Sequence, residues 1–485
     1  LKEDESFVRA VSLARLNVVV MLSDTLRWDV LGFNGGPGWL DVKTPELDAF
    51  AREAVCFDGA RVSSFPTIPM RTDCFSGKFS HPRYGWQPLE PSLQTLPQIF
   101  QAAGYTTQLI ADTTHLLRAG FWKPFRHFDF LRGHEGDAPV SRLNRPPPKL
   151  VSDRRKTRVD LNRQPGDPTG AEIHAQQNDW WRYESDRLNS RICEKACNWL
   201  EDNWRGGPFF LWLDCFDVHE PWDPPEYLWR MYQPEYEGEP MTQPNYGRAD
   251  AYSREELANL RARYAAEVTL VSKNIGRVLR MMEDMGLMET TVVTLLSDHG
   301  IFLGERGRTG KSLIAPDRFD AFPQYSELAR LVWMIRAPGF EHRRCEEIVQ
   351  PPDLMPTLLE ICGLQIPEGV EGKSLLPMME GETGGPEPRL AISTWTMPTH
   401  FSKELVFCRR PAVTDGEWTL ILQEPPDPKP PELYHTKSDP KENVNLIRED
   451  PDQAKRLHRE MLAWLGKMGT PAEAIDRLGR IDWDS

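Results

Sequence analysis

Two acidic residues each stand directly after an apolar run of strand length: Asp24 after Asn17 to Ser23, and Asp298, followed by His299 and Gly300, after Thr291 to Ser297. Short runs rich in Val, Leu and Thr read as buried strands. Open α/β sheets gather their sites at the C-terminal ends of such strands. Two carboxylates and an imidazole brought together there would suit a divalent cation. Asp-His also arises by chance, so the pair gains weight only from its surroundings.

A second group centres on Thr67 and Arg71, in Phe65-Pro-Thr-Ile-Pro-Met-Arg71. The prolines indicate an extended approach, and the residues after Pro69 indicate a helix ending near Gly77. Thr67 then falls near a helix start, where backbone N–H groups and the dipole favour an anion. Arg71, four residues on, shares its face. A hydroxyl, a guanidinium and a helix start suit a nucleophile attacking a tetrahedral oxyanion. They equally describe a capping Thr and a surface Arg.

Further polar groups follow other strands: Asp112-Thr-Thr-His115 after Tyr105 to Ala111, and Asp214 to His219 after Pro208 to Leu213. Lys311 lies in a glycine-rich basic loop, Leu303 to Ser312, which lacks the glycine spacing of a Walker loop yet can bind an oxyanion.

The elements that must position these residues alternate strand and helix over some 350 residues, including a long amphipathic helix over Arg254 to Met285. That pattern predicts an α/β protein with a doubly wound, mostly parallel sheet. Shorter strands and turns from about residue 391, a Pro-rich turn at Pro425 to Pro431, a helix over Asp450 to Leu465 and a polar tail predict a smaller C-terminal α+β domain. The expected division is 1–374 and 375–485. Residues 133–179, rich in Pro, Arg and Asp, read as a long insertion, either a lid or an oligomer arm, which leaves a homo-oligomer open.

The chain has 485 residues, ample for two domains. Its net charge of −14 argues against general nucleic-acid binding, so an anionic substrate needs a local basic cluster. The eight cysteines show no CxxC spacing, so neither a zinc module nor a dense disulfide framework is indicated. No run reaches the roughly 18 apolar residues of a membrane span. A cytoplasmic location is expected, or a periplasmic or secreted one if a leader has been removed.

Taken together, these pieces resemble the sulfatase family of the alkaline phosphatase superfamily over nearly the whole chain. The resemblance rests on Asn17 to Asp24, Thr44-Pro-Glu-Leu-Asp48, Thr67 to Arg71 with Ser76-Gly77, Asp217-Val-His-Glu-Pro221, Ser297 to Gly300 with Lys311, Asp353 to Leu359, Gly372 to Pro377, and Glu432-Leu-Tyr434 with Asp439 to Asn443. It implies one divalent metal (Mn²⁺, Mg²⁺ or Ca²⁺, with Zn²⁺ also admissible) held by Asp24, Thr67, Asp298 and His299. Arg71 would support the nucleophile. His115, His219 and Lys311 would hold the oxyanion of a small anionic ester or protonate its leaving group, and Thr113 would stand on the substrate side.

Several positions depart from the family pattern. Ser23 replaces a second acidic ligand, Thr113 a lysine, and both departures are similar to phosphonate monoester and phosphodiester hydrolases. Asp214, Asp217 and His219 offer partial ligands for a second metal, but Pro351-Pro352 stands where a late His would be sought. Above all, Thr67 replaces the Cys or Ser that sulfatases oxidise to formylglycine, and Met70 breaks the recognition pattern. A secondary alcohol cannot give that aldehyde. The expected activity is therefore hydrolysis of phosphate esters, diesters or phosphonates through Thr67; the alternatives are a sulfatase working without formylglycine and an inactive binding relative.

Overall fold

The computed structural model describes residues 15–134, 137, 147–150, 153–158, 167–315, 318–382, 389–398, 405–423, 430–481 and 483. Its centre is an eight-stranded sheet in the order Arg343–Val349, Val55–Ala60, Trp333–Arg336, Thr291–Ser297, Asn17–Ser23, Phe209–Cys215, Thr106–Ala111, His127–Phe130. All neighbours pair in parallel except Trp333–Arg336, which runs antiparallel to both strands beside it. The mostly parallel α/β reading therefore holds. Trp333–Arg336 is the one reversed strand of this sheet among the described residues.

Strand periodicity shows in the packing. Val18, Val20 and Leu22 join one core with Ile68, Met70, Cys74, Phe75 and Trp212. Val19 and Met21 join another with Tyr264, Val268, Val271 and Ile275. Successive side chains leave a strand on opposite faces, so a strand buried on both sides reads as an unbroken apolar run. The helix Thr67–Ser76 thus covers one face, and the helix Arg254–Asp284 covers the other. Gly77, at φ 64°, ends the first helix in the left-handed conformation that glycine adopts without strain.

A second, five-stranded sheet runs Glu432–Tyr434, Thr419–Ile421, Leu405–Thr414, Ala391–Pro398, Ser64–Phe65. Its last strand comes from the first part of the chain and pairs in parallel with Thr394 and Trp395. The two residues leading to Thr67 are therefore held by the C-terminal sheet. The helix Pro451–Lys467 covers that sheet through Ala454, Leu457, Met461 and Leu465. Beyond it the expected polar tail instead forms the helix Ala472–Gly479, which buries Ala474 and Leu478. Among the described residues no helix is long and apolar enough to cross a membrane.

Much of the 133–179 insertion, and residues 425–429 of the Pro-rich turn, lie outside the described residues. The described parts of the insertion include the helix Gly170–Gln177 and the buried His134, bonded to Asp112 at 3.0 Å.

Gly300 marks how tightly the Asp298 tip is seated, since a Cβ there would lie 2.0 Å from the Glu327 carbonyl oxygen. Gly300→Ala is expected to cost about 1–3 kcal/mol, read as a lower urea midpoint at unchanged slope. An unshifted midpoint would show that the tip yields freely.

His81 gives a pH signature. It is fully buried, stacks on Trp464 and lies 3.1 Å from Ser64 Oγ, and burial, with Arg83 adding, pushes its imidazole down to about 3. Its contribution is complete above the unfolded value of roughly 6.5 and is lost as pH falls from there toward 3, because only the unfolded chain takes the proton. His81→Gln should remove up to about 1.4 kcal/mol per pH unit from the slope of stability across that range. Identical slopes in chemical denaturation would contradict the assignment.

Candidate active site

Asp24 and Asp298 follow neighbouring parallel strands whose last residues, Ser23 and Ser297, are register partners. That alignment brings Asp24, Asp298 and His299 together, with one ligand atom from each lying within 4.8 Å of the others. All three are fully buried. Thr25 ties the two tips together: its N–H donates to Asp298 Oδ1 and its hydroxyl to Asp24 Oδ1, each at 2.8 Å. It does so at φ 62°, where a β-branched residue is strained by about 1–3 kcal/mol.

Arg71 lies beneath these carboxylates, with no exposed surface. Its Nε and Nη2 each donate to Asp214 at 2.9 Å, Nη1 donates to Asp298 Oδ2 at 2.8 Å, and Nη2 is 3.2 Å from Asp24 Oδ2. Nη1 also donates to the Thr67 carbonyl at 3.1 Å, so the backbone of Thr67 lies one guanidinium nitrogen away from Asp298. Burial disfavours the charge on Arg71, but Asp214, Asp298 and Asp24 outweigh it and keep the guanidinium protonated. The guanidinium beside Thr67 is thus spent on carboxylates rather than offered to an oxyanion. Thr113, expected on the substrate side, is fully buried and gives its hydroxyl to Asp214 Oδ1 at 2.8 Å, bracing that carboxylate. Trp212 Nε1 braces the other oxygen at 3.0 Å.

Burial and the neighbouring charge of Asp298 push the Asp24 carboxyl well up, against Arg71 and Lys311. Burial also works against the charge of Asp298, yet His299 and Arg71 hold its carboxyl below the usual range. His299 Nδ1 donates to the Gly300 carbonyl at 3.1 Å, which puts the lone pair on Nε2. Burial, helped by Lys311 and Arg71, pushes this imidazole down to about 3 despite Asp298. Among the described residues, Nε2 and Asp24 Oδ2 are buried without a hydrogen-bond partner. A neutral imidazole lone pair aimed between two carboxylates is the donor set of a divalent cation, and the second-shell bond at Nδ1 fixes the ring for that role.

Thr67 is the first residue of its helix and almost fully buried. The ring of Phe65, two residues earlier, packs against His299 at 4.6 Å and Trp395 at 4.4 Å, which draws the Thr67 turn to the cluster. Lys311 Nζ lies 3.3 Å from Thr25 Oγ1 and 5.9 Å from the Tyr246 ring centre. Gly310 allows this approach, because a Cβ there would meet the Tyr246 ring at 2.6 Å.

His219 stacks on Phe216 at 4.2 Å and His115 packs on the same ring at 6.0 Å. His219 Nδ1 donates to the Glu220 carbonyl at 2.8 Å. Burial first, then Lys311, pushes His219 well down, and burial with Arg118, Arg158, Lys311 and Arg71 pushes His115 down to about 3. Both rings are therefore neutral near pH 7. Asp214 and Asp217 do not join His219 as ligands: Asp214 serves Arg71, and Asp217 lies 3.8 Å from His134.

Sequence reasoning passed over three contributors. Thr25 is adjacent to Asp24 but carries no motif. Arg158 sits 5.2 Å from the Tyr246 ring and 3.5 Å from Glu220, and comes from the insertion. Tyr246 donates its hydroxyl to Glu220 Oε1 from a stretch that carries no motif.

The family model described as Sulfatase matches residues 16–364. The chain belongs to the sulfatase family. A second model, described as N-sulphoglucosamine sulphohydrolase, C-terminal, matches residues 317–468 of this sulfatase-family chain. An arylsulfatase of Clostridium perfringens is 27% identical over 75% of the chain and 78% of its own length. Among solved structures, the phosphonate monoester hydrolase of Agrobacterium radiobacter superposes with a TM-score of 0.72 at 19% identity, covering 94% of this chain and 96% of its own. The protein BT4656, solved in complex with its substrate D-glucosamine-2-N,6-O-disulfate, superposes at 0.68 with 20% identity, covering 96% and 100%. This sulfatase-family protein is an ester hydrolase, and its cluster of Asp24, Asp298 and His299 fits the divalent metal the family uses.

Two outcomes follow from Arg71 and the cluster. Mn²⁺ is expected to raise the melting temperature of the chelator-treated protein but not of Asp298→Asn, as read by differential scanning fluorimetry. Asp214→Asn, which removes the main counter-charge of Arg71, should weaken Mn²⁺ by about 10–100-fold in calorimetric titration. Undiminished affinity would remove Asp214 from the support of the site.

Proposed function

We propose that the protein is a metal-dependent hydrolase of phosphate diesters or phosphonate monoesters in which Thr67 is the nucleophile. The observation that carries this reading is the identity of residue 67: a hydroxyl that cannot become an aldehyde, at a helix start drawn against an intact cation-type cluster. A divalent ion held by Asp24, Asp298, His299 and the Thr67 hydroxyl would acidify that hydroxyl and offset charge on the ester.

The residues divide the remaining work. Arg71 favours the charged forms of Asp24 and Asp298 and fixes the turn carrying Thr67 through its carbonyl. Lys311 offers an ammonium, and the neutral His115 and His219 offer ring N–H or lone-pair sites, around the non-bridging oxygens. Attack of Thr67 Oγ on phosphorus forms one O–P bond as the bond to the leaving oxygen breaks, and that oxygen takes up a proton. Water then attacks the phosphothreonine and frees Thr67. Formylglycine releases sulfate without attack at sulfur; a threonyl ester has no such route. Phosphorus, which water attacks readily with cationic assistance, is the better matched centre.

The naming of relatives as arylsulfatases supports a second reading, a sulfate esterase that works without formylglycine. With Mn²⁺ the protein should hydrolyse a nitrophenyl phosphodiester faster than the matching aryl sulfate, and Thr67→Ala should lower kcat by at least about a thousandfold. Faster sulfate turnover would favour the second reading. Equal activity of the variant would remove Thr67 from the chemistry.

A further inference from the structure

A cavity of about 930 Å³ lies away from the residues above, between the Val55–Ala60 end of the main sheet and the Thr414 to Glu417 turn of the C-terminal sheet. None of the candidate catalytic residues lines it. Arg61 and Arg330, both on its wall, are partners in an antiparallel bridge. The bridge is flanked by Val62 N–H donating to Ala329 O at 2.8 Å and Leu331 N–H to Ala60 O at 3.1 Å. Directly opposed residues send their side chains to one face, where like charges repel.

Among the described residues neither guanidinium has a carboxylate within 4.0 Å. The Arg61 guanidinium donates to the Ala60 carbonyl at 3.1 Å, and that of Arg330 donates to the Asp58 carbonyl at 3.2 Å while lying 3.3 Å from the centre of the Trp28 ring. Glu346, Glu347, Glu382, Asp415 and Glu417 also line the cavity, none of them within 4.0 Å of either guanidinium, and the two acids that act on Arg61 have other partners. Asp58 binds Arg344 through both oxygens at 2.7 Å, and Glu442 accepts from Ser326 and Arg306. Burial, with Arg61 adding, pushes Arg330 down to about 9, and burial lowers Arg61 as well. Two facing cations in a polar cavity of a chain with net charge −14 carry a cost that a bound anion would relieve.

We propose that this cavity is an anion site in which Arg61 and Arg330 together clasp a tetrahedral oxyanion, sulfate or phosphate, free or as an ester group. Planar guanidinium forks match such oxygens in pairs. Because Val55–Ala60 and Thr291–Ser297 both run antiparallel to Trp333–Arg336, Arg61 leaves the sheet at the same edge as Asp298. The site does not depend on the reaction proposed above.

Arginine modification by phenylglyoxal, read residue by residue by mass spectrometry on the unmodified sequence, tests it without any risk of misfolding. Inorganic sulfate should slow modification of Arg61 and Arg330 by about tenfold, while the exposed Arg280 is unaffected. In calorimetry Arg61→Gln/Arg330→Gln should lose one sulfate-binding event and keep turnover of a small nitrophenyl ester within about twofold. A sulfated monosaccharide protecting the pair much better than inorganic sulfate assigns the site to an ester group; equal protection assigns it to the free ion. Absence of protection by either ligand overturns the proposal.

Discussion

The site depends on one buried guanidinium. Arg71 has no contact with solvent and is in reach of Asp24, Asp214 and Asp298, which end three adjacent strands of the main sheet. Removing four charged groups from water is costly, and the arrangement holds only because each donor of Arg71 meets an oxygen. Three carboxylates against one guanidinium leave negative charge over, and the surplus gathers at Asp24 and Asp298 beside the lone pair of His299. A cation would complete that balance, and Lys311 reaches the cluster through Thr25.

The second constraint is the shared strand. Ser64 and Phe65, joined to Thr67 by Pro66, pair with the C-terminal sheet, and Phe65 is packed between Trp395 of that sheet and His299 of the cluster. The C-terminal part therefore belongs to the construction of the site. The turn carrying Thr67 is gripped from one side by Arg71 and from the other by strand pairing.

The apolar runs ending in Asp24 and Asp298 were legible because strands buried on both faces have no polar alternation to blur them. The Thr67 helix was legible from its prolines and Gly77. Less visible was Arg343–Val349, whose Arg and Glu residues interrupt the apolar pattern because an edge strand keeps one side in solvent. Val55–Ala60 was hidden by Asp58 and Gly59; the glycine is there because a Cβ would lie 2.1 Å from the Glu347 carbonyl oxygen. The partners of Arg71 and Thr113 were not legible at all, since Asp214 lies more than a hundred residues from each and only the register of the sheet joins them. Nor does any local pattern mark Arg158, which comes to the site from the insertion.

The most direct measurement is a crystal structure of the protein grown with Mn²⁺, with the ion located by its anomalous scattering. The account predicts manganese within about 2.0–2.4 Å of oxygens of Asp24 and Asp298, Nε2 of His299 and Oγ1 of Thr67. Manganese bound elsewhere, or a Thr67 hydroxyl turned away from an ion held by the other three, would contradict it.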